Sequence, residues 1–269
     1  MRRLAAALVL AALLGTAGPA SAQDRWRPDV RAAATYANGR AGTVAFAVRT
    51  GKRLVGRGLD RQFRSASVIK AMLMVTYLRQ RSVRSRALTA GERGLLEPMI
   101  RWSDNDAATH VRNVVGNPAV SRLARAAGMT RFVMDIVWGH SLITPRDQTR
   151  LFLRIDRLIP RRHRAYAMRL LRTIIPGQRW GMARVIPRGW RLYFKGGWGD
   201  GTGAVDHQVS QLRCGPRRVA VAVLTVGNPT HRYGNATLEG VSRRLVRGLE
   251  PQLQGAVVRQ RGYLGIQPR

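Results

Sequence analysis

Strand patterns occur in two blocks far apart in this sequence, and that separation constrains the fold more than any other feature. Residues 43–50, TVAFAVRT, are β-branched and apolar; the turn at Gly51-Lys52 and then RLVGR follow, which predicts a two-stranded hairpin. The second block begins after Pro187, where RLYFKGG, AVDHQVSQLR and RRVAVAVLTVG read as strands with a Gly-rich turn between the first two. The helix LEGVSRRLVRGLEPQL closes the pattern, and the tail 255–269 is ambiguous. Everything between the blocks reads as helix or loop. Helices are predicted from Ser67 to about Arg81, with Val68, Met72, Met74 and Leu78 near one face; at 90–101; at 103–115 with Ser103 as N-cap; and from Asn117-Pro118 to about Ala127. Residues 129–143 have no clean period and read as a loop. Thr144-Pro145-Arg146-Asp147 then signals a helix start running to Leu158, and another helix covers about 161–174. This order fits an α/β (α+β) fold: an antiparallel sheet built from both ends of the chain, flanked by helices, with an inserted all-helical lobe. The expected division is residues 23–66 and 181–269 for a discontinuous α/β lobe and 67–180 for the helical lobe, together one domain.

The first 22 residues have a basic start, an apolar run and Ala20-Ser21-Ala22, the pattern of a cleaved export signal too short to span a bilayer. The chain is therefore expected to be secreted or periplasmic, monomeric and without a transmembrane anchor. Cys214 is the single cysteine, so the core must hold without an internal disulfide. The formal charge is +33, falling to +31 without Arg2 and Arg3. Such a field attracts anionic partners, and non-specific contact with anionic wall polymer is expected; an arginine-rich coding bias explains the same number. No zinc-finger spacing, RNA-binding signature or aromatic-interleaved basic run is present, so specific nucleic-acid recognition is not expected.

Nearly all of that charge is arginine. Only Lys52, Lys70 and Lys195 are lysines, against 44 arginines. Arginine keeps its proton in a protein, whereas a lysine can be tuned to release it. Lys52 lies in a turn and reads as a surface residue. Lys70 follows Ser67 by three positions, so the two share a helix face, with Ser67 near a helix N-terminus that favours developing negative charge. A desolvated lysine there can take the serine proton. Ser103-Asp104-Asn105 supplies a second hydroxyl and an amide at a helix start, and Lys195-Gly196-Gly197 ends a predicted strand.

S-x-x-K, S-D-N and a K-[ST]-G-like triplet in this order form the motif set of class A β-lactamases and penicillin-binding proteins. Over most of residues 43–250 the chain resembles a class A β-lactamase-like serine hydrolase. The resemblance implies that Ser67 is the acylated nucleophile, that Lys70 exchanges its proton, and that Ser103 relays a proton to the leaving nitrogen. It implies that Asn105 binds a substrate amide and that Lys195 brings positive charge to Ser103 and a substrate carboxylate. The oxyanion hole would be the backbone N–H groups of Ser67 and Trp198, beside Gly196 and Gly197, each donor contributing roughly 3 kcal/mol to the transition state. No cofactor or metal is implied; the partner is a small-molecule β-lactam or a wall peptide.

The chain also departs from that pattern. The family's deacylating glutamate belongs in the loop before Thr144, but Glu92, Glu97, Glu239 and Glu250 all lie elsewhere. Asp135 is the only acid between Gly128 and Thr144 and is the possible deacylation base, although shorter; His140 is a second possible base or a solvent-exposed loop residue. Gly196 replaces the hydroxyl residue of the triplet, and no arginine follows on the strand AVDHQVSQ, where the family often keeps a carboxylate partner. Trp102 and Trp198 flank two motif segments and either line the cleft or simply pack. The expectation is an exported serine hydrolase acylated on Ser67, with deacylation in doubt. The alternatives are a peptidase-like enzyme on wall peptides and a non-catalytic basic wall-binding protein.

Overall fold

The computed structural model describes residues 26–249; the expected export signal and the tail 255–269 lie outside the described residues. Along the chain run α1 (Val30–Asn38), β1 (Thr43–Thr50), β2 (Arg53–Arg57), β3 (Phe63–Arg64), α2 (Lys70–Leu78), α3 (Ala90–Arg101), α4 (Asn105–Val115) and α5 (Asn117–Ala126). They are followed by β4 (Leu142–Ile143), α6 (Pro145–Leu153), the short turn α7 (Ile155–Leu158), α8 (Arg164–Arg172), β5 (Arg191–Gly199), β6 (Val205–Cys214), β7 (Arg217–Val226) and α9 (His231–Leu245). Five strands form one antiparallel sheet in the order β2-β1-β7-β6-β5, so the chain's two ends meet where β1 pairs with β7. β5 is an edge strand, which leaves one side of its backbone free to approach other elements.

Strand alternation sends β6 side chains to two different layers. Asp206 and Gln208 face α9: a Cβ on Gly234 would collide with the Asp206 carboxylate, and Gln208 holds Met182 N and Trp180 O in the segment against α9. His207 and Gln211 face the opposite way, Gln211 Nε2 donating to the Phe152 and Leu153 carbonyls at the end of α6. By register, Lys195 and Gly197 on β5 pair with Val209 and His207, whereas Gly196 and Trp198 pair with Gln208 and Asp206. The residues of the K-G-G segment are thus divided between the two faces.

Several local expectations are corrected. α2 is buried on every side rather than along one face, because it is the central helix against which α3, α4 and α5 pack. Each fully buried Met or Leu there, such as Met72 and Leu73, contributes about 1.5–3 kcal/mol of apolar burial. The N-cap of α4 is Asp104, not Ser103: Asp104 Oδ1 accepts from Ala107 N at 2.7 Å. The helix opened by Thr144 ends at Leu153, with only the turn of α7 continuing it to Leu158. α9 begins seven residues before the expected start, capped by Thr230, whose hydroxyl accepts from Tyr233 N. α1 was not expected; its signal was Asp29, which caps Ala32 N ahead of an alanine-rich run.

Candidate active site

The segment carrying Ser67 is fixed from three directions. β3 pairs with β4, and Ser65 N donates to Ser141 O at 2.8 Å. His207 is buried; its Nδ1 accepts from Thr225 N, so the proton lies on Nε2, which donates to Arg64 O at 2.8 Å. Burial lowers the His207 pKa to about 4, which keeps the ring neutral and this tautomer in place. The chain then turns through a 3-10 helix, Ala66–Ile69, into α2. Ala66 enters that turn at φ 43°, a left-handed conformation costing a non-glycine residue on the order of 1 kcal/mol. β5 passes so close that a Cβ on Gly197 would lie 2.9 Å from both Ser67 N and Val68 N. Only glycine lets the strand edge reach the amides at Ser67.

Ser103 lies between α3 and α4, also left-handed at φ 62°. That conformation turns the chain between Trp102 and the Asp104 cap, whose amides both donate to Pro98 O of α3, and it leaves both oxygens of Ser103 facing the lysines. Lys70 Nζ donates to Ser103 O at 2.5 Å and to Asn105 Oδ1 at 2.7 Å, and lies 3.4 Å from Ser103 Oγ. Lys195 Nζ donates to the same Oγ at 3.0 Å and to Gly196 O at 2.9 Å. Both lysines are completely buried, and among the described residues no carboxylate pairs with either. Burial therefore lowers Lys70 to about 7, partly opposed by Asp104, and pushes Lys195 well below its ordinary value, with the charge of Lys70 adding to the effect. Two amines so close do not both hold a proton easily. The serine hydroxyl between them is a bridge along which one proton can move.

Ser67 is itself buried, and its hydroxyl accepts no bond from either lysine among the described residues. It opens onto a cleft of about 330 Å3 that Asn105 also lines, with Val137, Trp138 and His140 on the loop side and Trp198, Gly201 and Thr202 on the strand side. Asp135 is not brought there. Its carboxylate accepts from Val137 N at 2.8 Å and its amide donates to Ser141 Oγ, so it serves the loop's own turn. Trp102 lies outside the cleft, exposed at the end of α3. Gly196 lies under a Trp180 ring, and Trp180, Trp198 and His231 form a three-ring cluster with centroids 5.7–5.9 Å apart. Trp180, His207 and His231 were missed by sequence reasoning. The one available signal was the missing side chain at Gly196, which left room for a large neighbour.

Helices flank the five-stranded antiparallel sheet, and the cluster of Lys70, Ser103 and Lys195 lies where its edge strand β5 meets the helices. The sequence profile of the beta-lactamase enzyme family matches residues 86–249, more than half of the chain, and the protein belongs to that family. The match begins after Ser67 and Lys70, so those two residues stand on the geometry described above. Solved structures agree in fold. The beta-lactamase from Sphaerobacter thermophilus is 23% identical, with 83% of this chain and 98% of that one covered and a TM-score of 0.70. The class A beta-lactamase from Mycobacterium abscessus is 18% identical, covering 82% and 99%, at a TM-score of 0.70. PBP-A is 16% identical, covering 83% and 97%, at 0.68. No curated protein matches the sequence.

Proposed function

We propose that the protein is an exported serine hydrolase in which Ser67 is acylated by a β-lactam or a related amide or ester. The observation that carries this reading is the Ser103 hydroxyl held between two buried lysines, Lys195 on β5 and Lys70 one turn along the chain from Ser67. A lysine with its pKa near 7 is half unprotonated at neutral pH and is matched to taking the serine proton. Lys70 receives the proton of Ser67, and Ser103 passes a proton to the leaving group. The amides of Ser67 and Trp198 hold the oxyanion. Asn105 lines the cleft and orients a substrate amide while accepting from Lys70.

Hydrolysis of the acyl-enzyme is slow. No carboxylate lines the cleft among the described residues, and Asp135 is committed to the loop backbone. The same observation favours, as a second reading, an enzyme that accepts acyl groups from wall peptides. A time course of intact mass after mixing with a penicillin tests the proposal. A stable or slowly decaying adduct of one acyl group per chain is expected. Immediate turnover with no detectable adduct contradicts slow deacylation, and neither adduct nor turnover contradicts the proposal as a whole.

A further inference from the structure

In a chain of 44 arginines, the charge around the Ser67 cleft can be compared with that around the larger cavities. Among the described residues, a cavity of about 760 Å3 is lined by Arg79, Arg81 and Arg122, and one of about 500 Å3 by Arg161, Arg164 and three more arginines. Among the described residues, no arginine lines the cleft of about 330 Å3 at Ser67. The two lysines supply no exposed charge either, since both are fully buried and donate inward to Ser103, Asn105 and Gly196 O. Among the described residues, the cleft thus offers a substrate anion neither an arginine nor an exposed lysine.

What stands there instead is aromatic. Gly196 and Trp198 face α9, and a Cβ on Gly196 would lie 2.7 Å from the Trp180 ring. Trp180 therefore occupies the room that a hydroxyl residue at position 196 would use to bind a carboxylate. The Trp198 ring stacks on His231 at a 32° tilt, and both meet Trp180 edge to face. Behind them Asp206 is buried on Gly234, its carboxylate bonded to His231 Nδ1 and Asn228 Nδ2. On the other side, Val137 and Trp138 give an apolar wall.

We propose that the acyl donor of Ser67 is an uncharged ester or amide with a flat apolar group, lacking the carboxylate beside the scissile bond, and that it packs between Trp138 and Trp198. This rests on the reading of Ser67 as the acyl acceptor. With an ester, Ser67 Oγ bonds to the carbonyl carbon and the bond to the leaving oxygen breaks. The proton lost by Ser67 passes through Lys70 and Ser103 to the departing alcohol. Water later cleaves the new ester, giving the free acid and restoring Ser67.

The test compares one penicillin with its own methyl ester, both giving a penicilloyl adduct, and adds 4-nitrophenyl phenylacetate. Adduct formation is followed by intact mass, located by peptide mapping, and each rate is divided by that compound's rate with hydroxide. The methyl ester is expected to acylate Ser67 about tenfold faster than the free acid or more, since the acid gives up hydration for no partner. A smaller ratio, or a faster free acid, overturns the neutral-substrate proposal while leaving Ser67 as nucleophile. If none of the three compounds labels Ser67, the nucleophile reading itself fails and this proposal with it.

Discussion

Replacing Lys70 by Met exposes how strongly the site strains its own lysine. Lys70 is fully buried, and burial lowers its pKa from 10.5 to about 7. The unfolded chain keeps the ordinary value. Between these two values the unfolded state binds more protons at this position than the folded state, so folded stability rises with pH. The slope is about 1.4 kcal/mol per pH unit, and the full difference between low and high pH is on the order of 5 kcal/mol. Below pH 7 both states hold the proton and the folded state carries the whole penalty. In Lys70→Met the penalty disappears, although Ser103 O and Asn105 Oδ1 lose their donor at every pH. Lys195, depressed first by burial, is present in both proteins and loses in the variant only the smaller lowering that the Lys70 charge adds. Urea unfolding at about pH 7, 8 and 9 should show the native chain gaining roughly 2–3 kcal/mol on the variant across that range. A difference between the two proteins that stays constant with pH refutes the claim that the Lys70 amine is desolvated.

Three further outcomes follow from the same geometry. The rate of Ser67 acylation should rise with pH through about 7 and then level off, following the unprotonated form of Lys70 in a stopped-flow pH profile; a flat profile argues against Lys70 as base. Gly197→Ala should cut acylation by about tenfold to a hundredfold, because the new Cβ meets the amides of Ser67 and Val68 at 2.9 Å and moves the strand off the turn; unchanged kinetics would show that this approach is not needed. Asp104→Ala should lower stability by about 1 kcal/mol in denaturant unfolding through loss of the α4 cap, whereas Ser103→Ala should leave that cap intact and instead slow acylation.

The sheet was legible because its strands carry their own signal: β-branched runs bounded by glycine, with β1 and β2 falling on the expected residues. The serine and lysine positions were legible because lysine is scarce and each lies in a short motif. What the motifs do not carry is how one residue reaches another. Ser103 reads as a cap because Ser-Asp-Asn before a helix offers two caps side by side; the motif carries no sign of the left-handed backbone at Ser103 that leaves the cap to Asp104 and turns the Ser103 oxygens to the lysines. That Lys70 and Lys195 share one hydroxyl depends on β5 meeting the 3-10 turn that leads into α2, although the two lysines are 125 positions apart in the chain. Asp135 was singled out as the only acid in its loop, and composition holds no sign that the carboxylate closes the loop's own turn. Trp180 lies in a stretch without periodicity, and His231 in a helix whose start the apolar pattern placed too late. The cluster they form with Trp198 exists only after the sheet is assembled.

The central claim is that Ser67 is an acyl acceptor activated by Lys70. The direct measurement is active-site titration with 4-nitrophenyl phenylacetate on the native chain and on Lys70→Met. The native chain should give a burst of one nitrophenolate per chain, with the acyl group recovered on the peptide containing Ser67. The variant should reach the same adduct about a hundredfold more slowly or worse. A label on any other residue, or an equal burst rate in the two proteins, contradicts it.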